Sequence, residues 1–331
     1  MSPLKVLFVG GTGIISSACA ELAIERGMEL YLLTRGNSAR TSPAGAHVLL
    51  ADVNNPEHVR TALRTLRFDV VVDWVAFTPA DIARDSELFW DITDQYIFIS
   101  SASAYQTPPA SLPITELTPL SNPFWKYSRQ KIACENRLFD EYFETGLPVT
   151  IVRPSHTYDE TMVPFDGGWT VIERMRQGRP VVIPGDGTSL WTMTHSSDFA
   201  VGLVGLFGNQ RAIGQAFHIT SEDPMTWNHI YDAMAAAAGV EPDFVHIASD
   251  AIAKADSEWG AALLGDKSHS MVFDNTKVKK LVPEFAPQMS FTDGARGIVA
   301  WHDADAGRRI VNRQLDATMD VLVDAYRPRT L

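Results

Sequence analysis

Residues 6–16 read VLFVGGTGIIS, and this stretch decides the fold. An apolar run of strand length stops at Gly10 and Gly11, and a segment of helical period begins after Gly13. Strand, tight turn and helix in that order make a dinucleotide-binding unit. Gly10 and Gly11 let the chain fold back, Gly13 lets the backbone approach a pyrophosphate, and the first helical turn offers unpaired N–H groups and a positive dipole end. Thr12, Ile14 and Ile15 complete the turn and are cofactor-site candidates with the three glycines. Ser16 stands where a third Gly or Ala is usual, and a glycine turn after a strand can also be no more than a turn.

Working outward, Leu30–Leu33 reads as a second strand followed by Thr34-Arg35-Gly36. A carboxylate at that strand end would hold the ribose 2'-OH of NAD, whereas an arginine pairs a 2'-phosphate. Thr34 and Arg35 therefore favour NADP(H) over NAD(H), with Arg40 as a second phosphate contact; the other reading of Arg35 is a solvated or adenine-stacking cation. A third short strand, Val48–Leu50, is followed by Asp52 and Val53, where such folds hold the adenine edge; Asp52 alternatively belongs to a helix cap. The β-branched run Asp69–Ala76 (DVVVDWVA) suits a strand buried in a parallel sheet. Its end brings Ala76 toward the cofactor and Phe77 toward a substrate.

A fifth strand, Tyr96–Ile99, runs into Ser100-Ser101-Ala102-Ser103-Ala104-Tyr105 on the ligand-binding edge of an open α/β sheet. Serines there are also common turn formers. The decisive addition is Tyr127-Ser128-Arg129-Gln130-Lys131. Tyrosine and lysine four apart in a helix share a face, so an ammonium can lower the phenol's pKa from ~10 toward a working range.

These motifs resemble the extended short-chain dehydrogenase/reductase superfamily, in its NAD(P)-dependent epimerase/dehydratase group. VGGTGIIS is similar to its glycine motif, FISSASAY to its serine strand, YSRQK to its Tyr-x-x-x-Lys, and VTIVRPSHTY to the strand and Arg-Pro that follow. VVIPGDG, HSSDFA and AFHIT extend the likeness over nearly the whole chain. The resemblance implies that Ser101 holds the substrate oxygen, Tyr127 is the acid/base, Lys131 binds ribose, Ser100 lies in the cofactor site and Pro154 lies beside the nicotinamide. It also implies about seven main strands and a homodimer through helices near 80–93 and 127–143. Two departures stand out: Trp191 replaces an arginine usual in members that bind nucleotide-diphosphate sugars, and the region around Lys267 reads GDKSHS without the second one. The C-terminal part is more similar to a branch that includes the chloroplast stem-loop RNA-binding proteins.

A formal charge of -12 argues against a broad phosphate-binding face, so nucleic acid is not an expected partner. No apolar run approaches the ~20 residues of a membrane helix, and the N-terminal MSPLKVLFVGG carries no cleavage-type site. Cys19 and Cys134 lie in expected helices among aliphatic residues, so buried thiols and a cytoplasmic location are expected. No histidine pair has metal-ligand spacing, and no metal is expected. Ser103, His156, Trp191 and Lys267 join Phe77 as substrate-site candidates, while His195 reads as structural.

The expected fold is α/β: a Rossmann-type doubly wound parallel sheet with a smaller, discontinuous C-terminal α/β substrate lobe. Residues 1–160, with 190–220 returning, form the dinucleotide-binding domain; 161–189 and 221–331 form the substrate lobe. The expected function is hydride transfer at a hydroxyl-bearing carbon of a sugar-like small molecule. The alternative is a non-catalytic RNA-binding or cofactor-sensing protein on the same fold.

Overall fold

The structure, a computed structural model, describes residues 2–327. The N-terminal half alternates strands with helices: β1 (Lys5–Val9), α1 (Ile14–Glu25), β2 (Glu29–Thr34), β3 (His47–Leu50), α2 (Pro56–Leu63), β4 (Val70–Asp73), α3 (Pro79–Phe89), β5 (Tyr96–Ile99), α4 (Lys126–Thr145) and β6 (Val149–Pro154). There follow β7 (His156–Tyr158), α5 (Trp169–Arg176), β8 (Val181–Pro184), β9 (Leu190–His195), α6 (Ser196–Val204) and β10 (Gln215–Ile219). The remainder is β11 (Pro224–Thr226), α7 (Trp227–Ala238), β12 (Phe244–Ile247), α8 (Ser249–Ala255), α9 (Ser257–Ala262), α10 (Thr276–Leu281), α11 (Phe291–Asp303) and α12 (Arg313–Tyr326).

Seven strands form one parallel sheet in the order β10-β6-β5-β4-β1-β2-β3. This is a doubly wound Rossmann-type sheet, and the order reverses between β1 and β4, where such sheets bind ligands. Side chains alternate across the strands: Val6 and Phe8 pack with α1 and α6 on one face, Leu7 and Val9 with α2 and α4 on the other. Burial on both faces is why these strands read as unbroken apolar runs.

The smaller lobe has its own core around Trp169, Trp191, Trp227 and Phe291. It contains the parallel pair β8–β12 and a three-stranded sheet, β11-β9-β7. The stretch expected to return to the main sheet at 190–220 does so only in part. β10 pairs with β6, but Leu190–His195 pairs with β7 and β11, so it walls the cleft instead of extending the sheet.

The described chain ends in α12, which packs on the smaller lobe. Its Leu315, Met319, Leu322 and Val323 are buried at the spacing of one helical face. Arg174 anchors it: the guanidinium, 1% exposed, reaches Asp316 Oδ1 at 2.6 Å and Asp320 Oδ1 at 2.9 Å. Arg179 makes a parallel but more exposed pair with the same two carboxylates. Truncating Arg174 deletes a buried side chain together with its bonds to both carboxylates and to the Pro180 carbonyl, a loss on the order of 1.5 to 3 kcal/mol, whereas the exposed Arg179 pair contributes about 1 kcal/mol or less. Urea unfolding should therefore show a large loss for Arg174→Ala and a small one for Arg179→Ala; equal losses would refute this ranking.

Candidate functional site

At the end of β1 the chain turns through Gly10 (φ +97°) and Gly11 (φ +111°), conformations that favour glycine. A Cβ on Gly11 would lie 2.8 Å from Leu32 Cδ2, and one on Gly10 would lie 3.0 Å from Val75 Cγ1. Gly13 then caps α1, whose first turn carries no acidic residue, so the positive helix end is not neutralised. Ser16 is buried and its Oγ accepts the Gly13 N–H at 2.7 Å, which explains why a serine fits the third small position.

Three adjoining cavities follow the carboxyl edge of the sheet. The first, about 470 Å³, is lined by Gly10, Thr12, Thr34, Arg35, Asp52 and Val53 among others. The second, about 360 Å³, lies over the glycine turn and reaches Ser100, Ser101, Tyr127, Lys131 and Pro154. The third, about 390 Å³, shares Ser101, Tyr127 and Pro154 with the second and extends to His156, Trp191 and Lys267. A bare-backbone turn, an unneutralised helix N-terminus and a long cleft passing both fit a nicotinamide dinucleotide. Gly10, Gly11, Thr12, Gly13 and Ile15 would hold its phosphates and Asp52 and Val53 its adenine end, with Ile14 facing the third cavity.

The catalytic candidates meet where the second and third cavities join. Ser101 follows β5, and its Oγ lies 2.9 Å from Ser103 Oγ, which in turn accepts from Ser128 Oγ at 2.8 Å. Tyr127 sits in the first turn of α4, its ring between Trp125 at 4.9 Å and Phe77 at 6.4 Å. One turn on, buried Lys131 donates to the carbonyls of Ala76 at 2.7 Å and Ile99 at 2.8 Å.

The electrostatics differ from the sequence expectation. Burial raises the Tyr127 pKa above its ordinary value; the Ser101 hydroxyl pulls it back and Asp266 pushes it further up. Lys131 does not acidify the phenol here, because its ammonium is directed at two carbonyls and lies 5.9 Å from the ring centroid. Burial instead lowers Lys131 itself to about 8, partly offset by Asp73.

Several expected site residues are placed differently. Arg40 does not line the first cavity: it pairs with Asp159 at 2.6 Å and donates to Thr161, fastening the segment after β2 to the loop after β7. Ser100 borders the cofactor cavity, but its hydroxyl donates to buried Glu135, which pairs with Arg153. Phe77 lines the first two cavities and not the third, so it belongs with the cofactor groups. Trp191 is a nearly buried wall whose Nε1 donates to the Lys267 carbonyl at 3.2 Å. His156 is held neutral, its pKa lowered to about 3 by burial and Lys267, while His195 Nδ1 bonds Ser197 at the start of α6.

Other groups escaped the sequence reading. Arg84 joins the first cavity and is paired with Asp81 and Asp85, while Trp125, Asp266 and Phe273 line the third. Trp125 lies two residues before Tyr127 and Asp266 adjoins the candidate Lys267 in GDKSHS, so both had a positional signal; Phe273 had none.

Comparison with known proteins finds relatives of the chain and solved structures of the same fold. The chain is 24% identical over 294 residues to 2'-dehydrokanamycin reductase of Streptomyces kanamyceticus, covering 85% of this chain and 80% of that protein. It is 24% identical over 339 residues to the chloroplast stem-loop binding protein of 41 kDa b of Arabidopsis thaliana, covering 97% and 84%. Among solved structures, an epimerase from Methanothermobacter thermautotrophicus superposes with a TM-score of 0.75 at 16% identity, covering 93% of this chain and 94% of that one. A dTDP-glucose 4,6-dehydratase from Bacillus anthracis, solved with NAD, gives 0.72 at 15% identity, covering 92% and 98%. The sequence pattern of the NAD dependent epimerase/dehydratase family matches residues 6–220, and the chain belongs to that family.

Proposed function

We propose that this chain is an NADP(H)-dependent oxidoreductase or epimerase that moves hydride at a hydroxyl-bearing carbon of a sugar-like substrate, with Tyr127 as acid/base. The observation that carries the reading is the position of Ser101 and Tyr127 on both the glycine-turn cavity and the cavity beyond it, with Lys131 one turn behind. When bound, the nicotinamide supplies a hydride acceptor or donor. As the phenolate, Tyr127 takes the hydroxyl proton when the carbinol carbon is oxidised; as the phenol, the form its raised pKa favours, it gives that proton to the oxygen when a carbonyl is reduced. Ser101 donates to that same substrate oxygen as charge develops on it. Buried Trp191 and half-buried His156 wall the cavity.

The NADP(H) preference is supported by Arg35, which is exposed beside the first cavity and has no hydrogen-bond or ion-pair partner among the described residues. Thr34 offers no carboxylate, and its Oγ1 accepts the Gly36 N–H. A lost arginine–phosphate contact costs on the order of 1.5 to 3 kcal/mol, roughly ten- to a hundredfold. Calorimetry should find Arg35→Ala weakened by that factor toward NADP(H) and little changed toward NAD(H). Equal weakening would assign Arg35 to adenine stacking.

Tyr127→Phe keeps the ring packed between Trp125 and Phe77 while removing the exchangeable proton. Turnover, followed at the nicotinamide absorbance with sugars, sugar acids and sugar nucleotides, should fall by ~10²- to 10⁴-fold with cofactor affinity retained. Turnover at the unaltered rate would remove Tyr127 from the role.

Lys131→Met should lower turnover and cofactor affinity together. Because burial holds Lys131 at about 8, the ammonium loses its proton as pH rises through that value. Binding of the anionic dinucleotide should weaken over the same range in the unaltered protein and not in Lys131→Met. A matching pH dependence in both would place the titrating group elsewhere.

A further inference from the structure

The cavity beyond Tyr127 contains a charged group that the chemistry above does not use. Asp266 lies in the π-helical turn Leu263–Lys267, a geometry that recurs at functional sites. The turn is pinned on both sides of it. Asn122 Nδ2 donates to the Gly265 carbonyl at 2.6 Å, and the Lys267 carbonyl accepts from Trp227 Nε1 at 3.0 Å and from Trp191 Nε1 at 3.2 Å. Gly265 is pressed so closely on the start of α4 that a Cβ would sit 2.7 Å from Trp125 Cβ. Asn122 also donates to the Ser103 carbonyl at 2.9 Å, so Asp266 is set in register with the serine strand and with Tyr127.

Held in this way, Asp266 lines the cavity while receiving no hydrogen bond to its carboxylate and no ion pair among the described residues. Its side chain is half-buried, so the carboxylate gives up part of its hydration and gains no protein donor in exchange. Burial accordingly raises its pKa to about 7, with Asp166 adding to the shift and Lys267 opposing it. The other titratable groups facing the cavity are Tyr127 and neutral His156. Among the described residues Lys267 is the one cation lining the cavity and no arginine does; Trp191 takes part of the wall. A lysine adjoining an unpaired carboxylate is a poor receptor for a diphosphate, which is best met by several cations or a bidentate arginine. A ligand cation, by contrast, would satisfy the carboxylate and meet the aromatic walls of Trp125 and Trp191.

We propose that Asp266 is the specificity-determining residue of this cavity and pairs with the ammonium group of an amino-bearing sugar that carries no nucleotide diphosphate. The proposal rests on the reading above that this cavity receives the substrate.

The test is calorimetric titration of the protein with saturating NADP⁺, using amino monosaccharides (the 2-, 3- and 6-amino-deoxyglucoses), glucose, and UDP-glucose. At least one amino sugar should bind roughly ten- to a hundredfold more tightly than glucose, the span of a charge-assisted contact, and more tightly than UDP-glucose. Asp266→Asn should bring the amine-to-hydroxyl ratio toward one with NADP⁺ affinity retained, and Asp266→Glu should restore part of the preference. Tightest binding of UDP-glucose, absence of any amine preference, or a preference that survives in Asp266→Asn would each overturn the assignment. Asp266-dependent amine binding with neither a nicotinamide absorbance change nor epimer formation for any sugar would uphold it while sinking the hydride-transfer reading, so the two fail separately.

Discussion

The site depends on one buried ammonium. Lys131 reaches inward from α4 and donates to Ala76, just past β4, and to Ile99, at the end of β5. Those carbonyls lie at the sheet's carboxyl edge, one at the last rung of the ladder and one past it, where a side chain can supply their donor. A single side chain therefore ties two strand ends to one helix. It also sets the rotation of α4, so that Tyr127, one turn earlier, faces the cleft. The cost is desolvation of the charge, visible in the lowered pKa and partly met by the ring faces of Phe77 and Phe98 at 4.5 and 4.7 Å.

Behind that ammonium lies a second buried polar layer. Arg153 on β6 pairs with Glu135 on α4, its guanidinium lies 4.8 Å from the Tyr105 ring centroid, and the Tyr105 hydroxyl meets His218 Nδ1 at 3.0 Å. His218 Nε2 lies 2.8 Å from the Asp274 carbonyl, so the layer runs from the serine strand to the C-terminal segment. Buried charges of this kind contribute little net stability when paired, but removing one partner is severe. Their effect is to fix α4, β6 and β10 relative to one another. This is why Ser100, expected in the cofactor site, has its hydroxyl turned into the protein toward Glu135.

The fold was legible because each of its cues is local. Gly10 and Gly11 must be glycine where φ is positive and Leu32 and Val75 press on them, and the apolar strands are buried on both faces. Tyr127 and Lys131 were legible because four residues make one helical turn. What escaped was decided by distant parts of the chain. Arg40 looked free to meet a phosphate until Asp159 and Thr161 were brought to it, and Asp266 reaches the cleft only because Asn122, Trp191 and Trp227 pin its turn. The expected acidification of Tyr127 failed for a related reason: helical spacing gives neighbourhood, but the carbonyls of Ala76 and Ile99 decide where the ammonium points. α12 was a different omission, since its apolar spacing is present in the sequence.

The central claim is that this cleft transfers hydride between a nicotinamide and a hydroxyl-bearing carbon at Tyr127. The most direct measurement uses NADPH carrying deuterium on the transferring face, mixed with the ketone form of a sugar that binds the third cavity, and mass spectrometry of the product. The account predicts deuterium bonded to the new carbinol carbon, lost in Tyr127→Phe. Product formed without label, or NADPH bound and left unoxidised across the whole set of keto sugars, would contradict it.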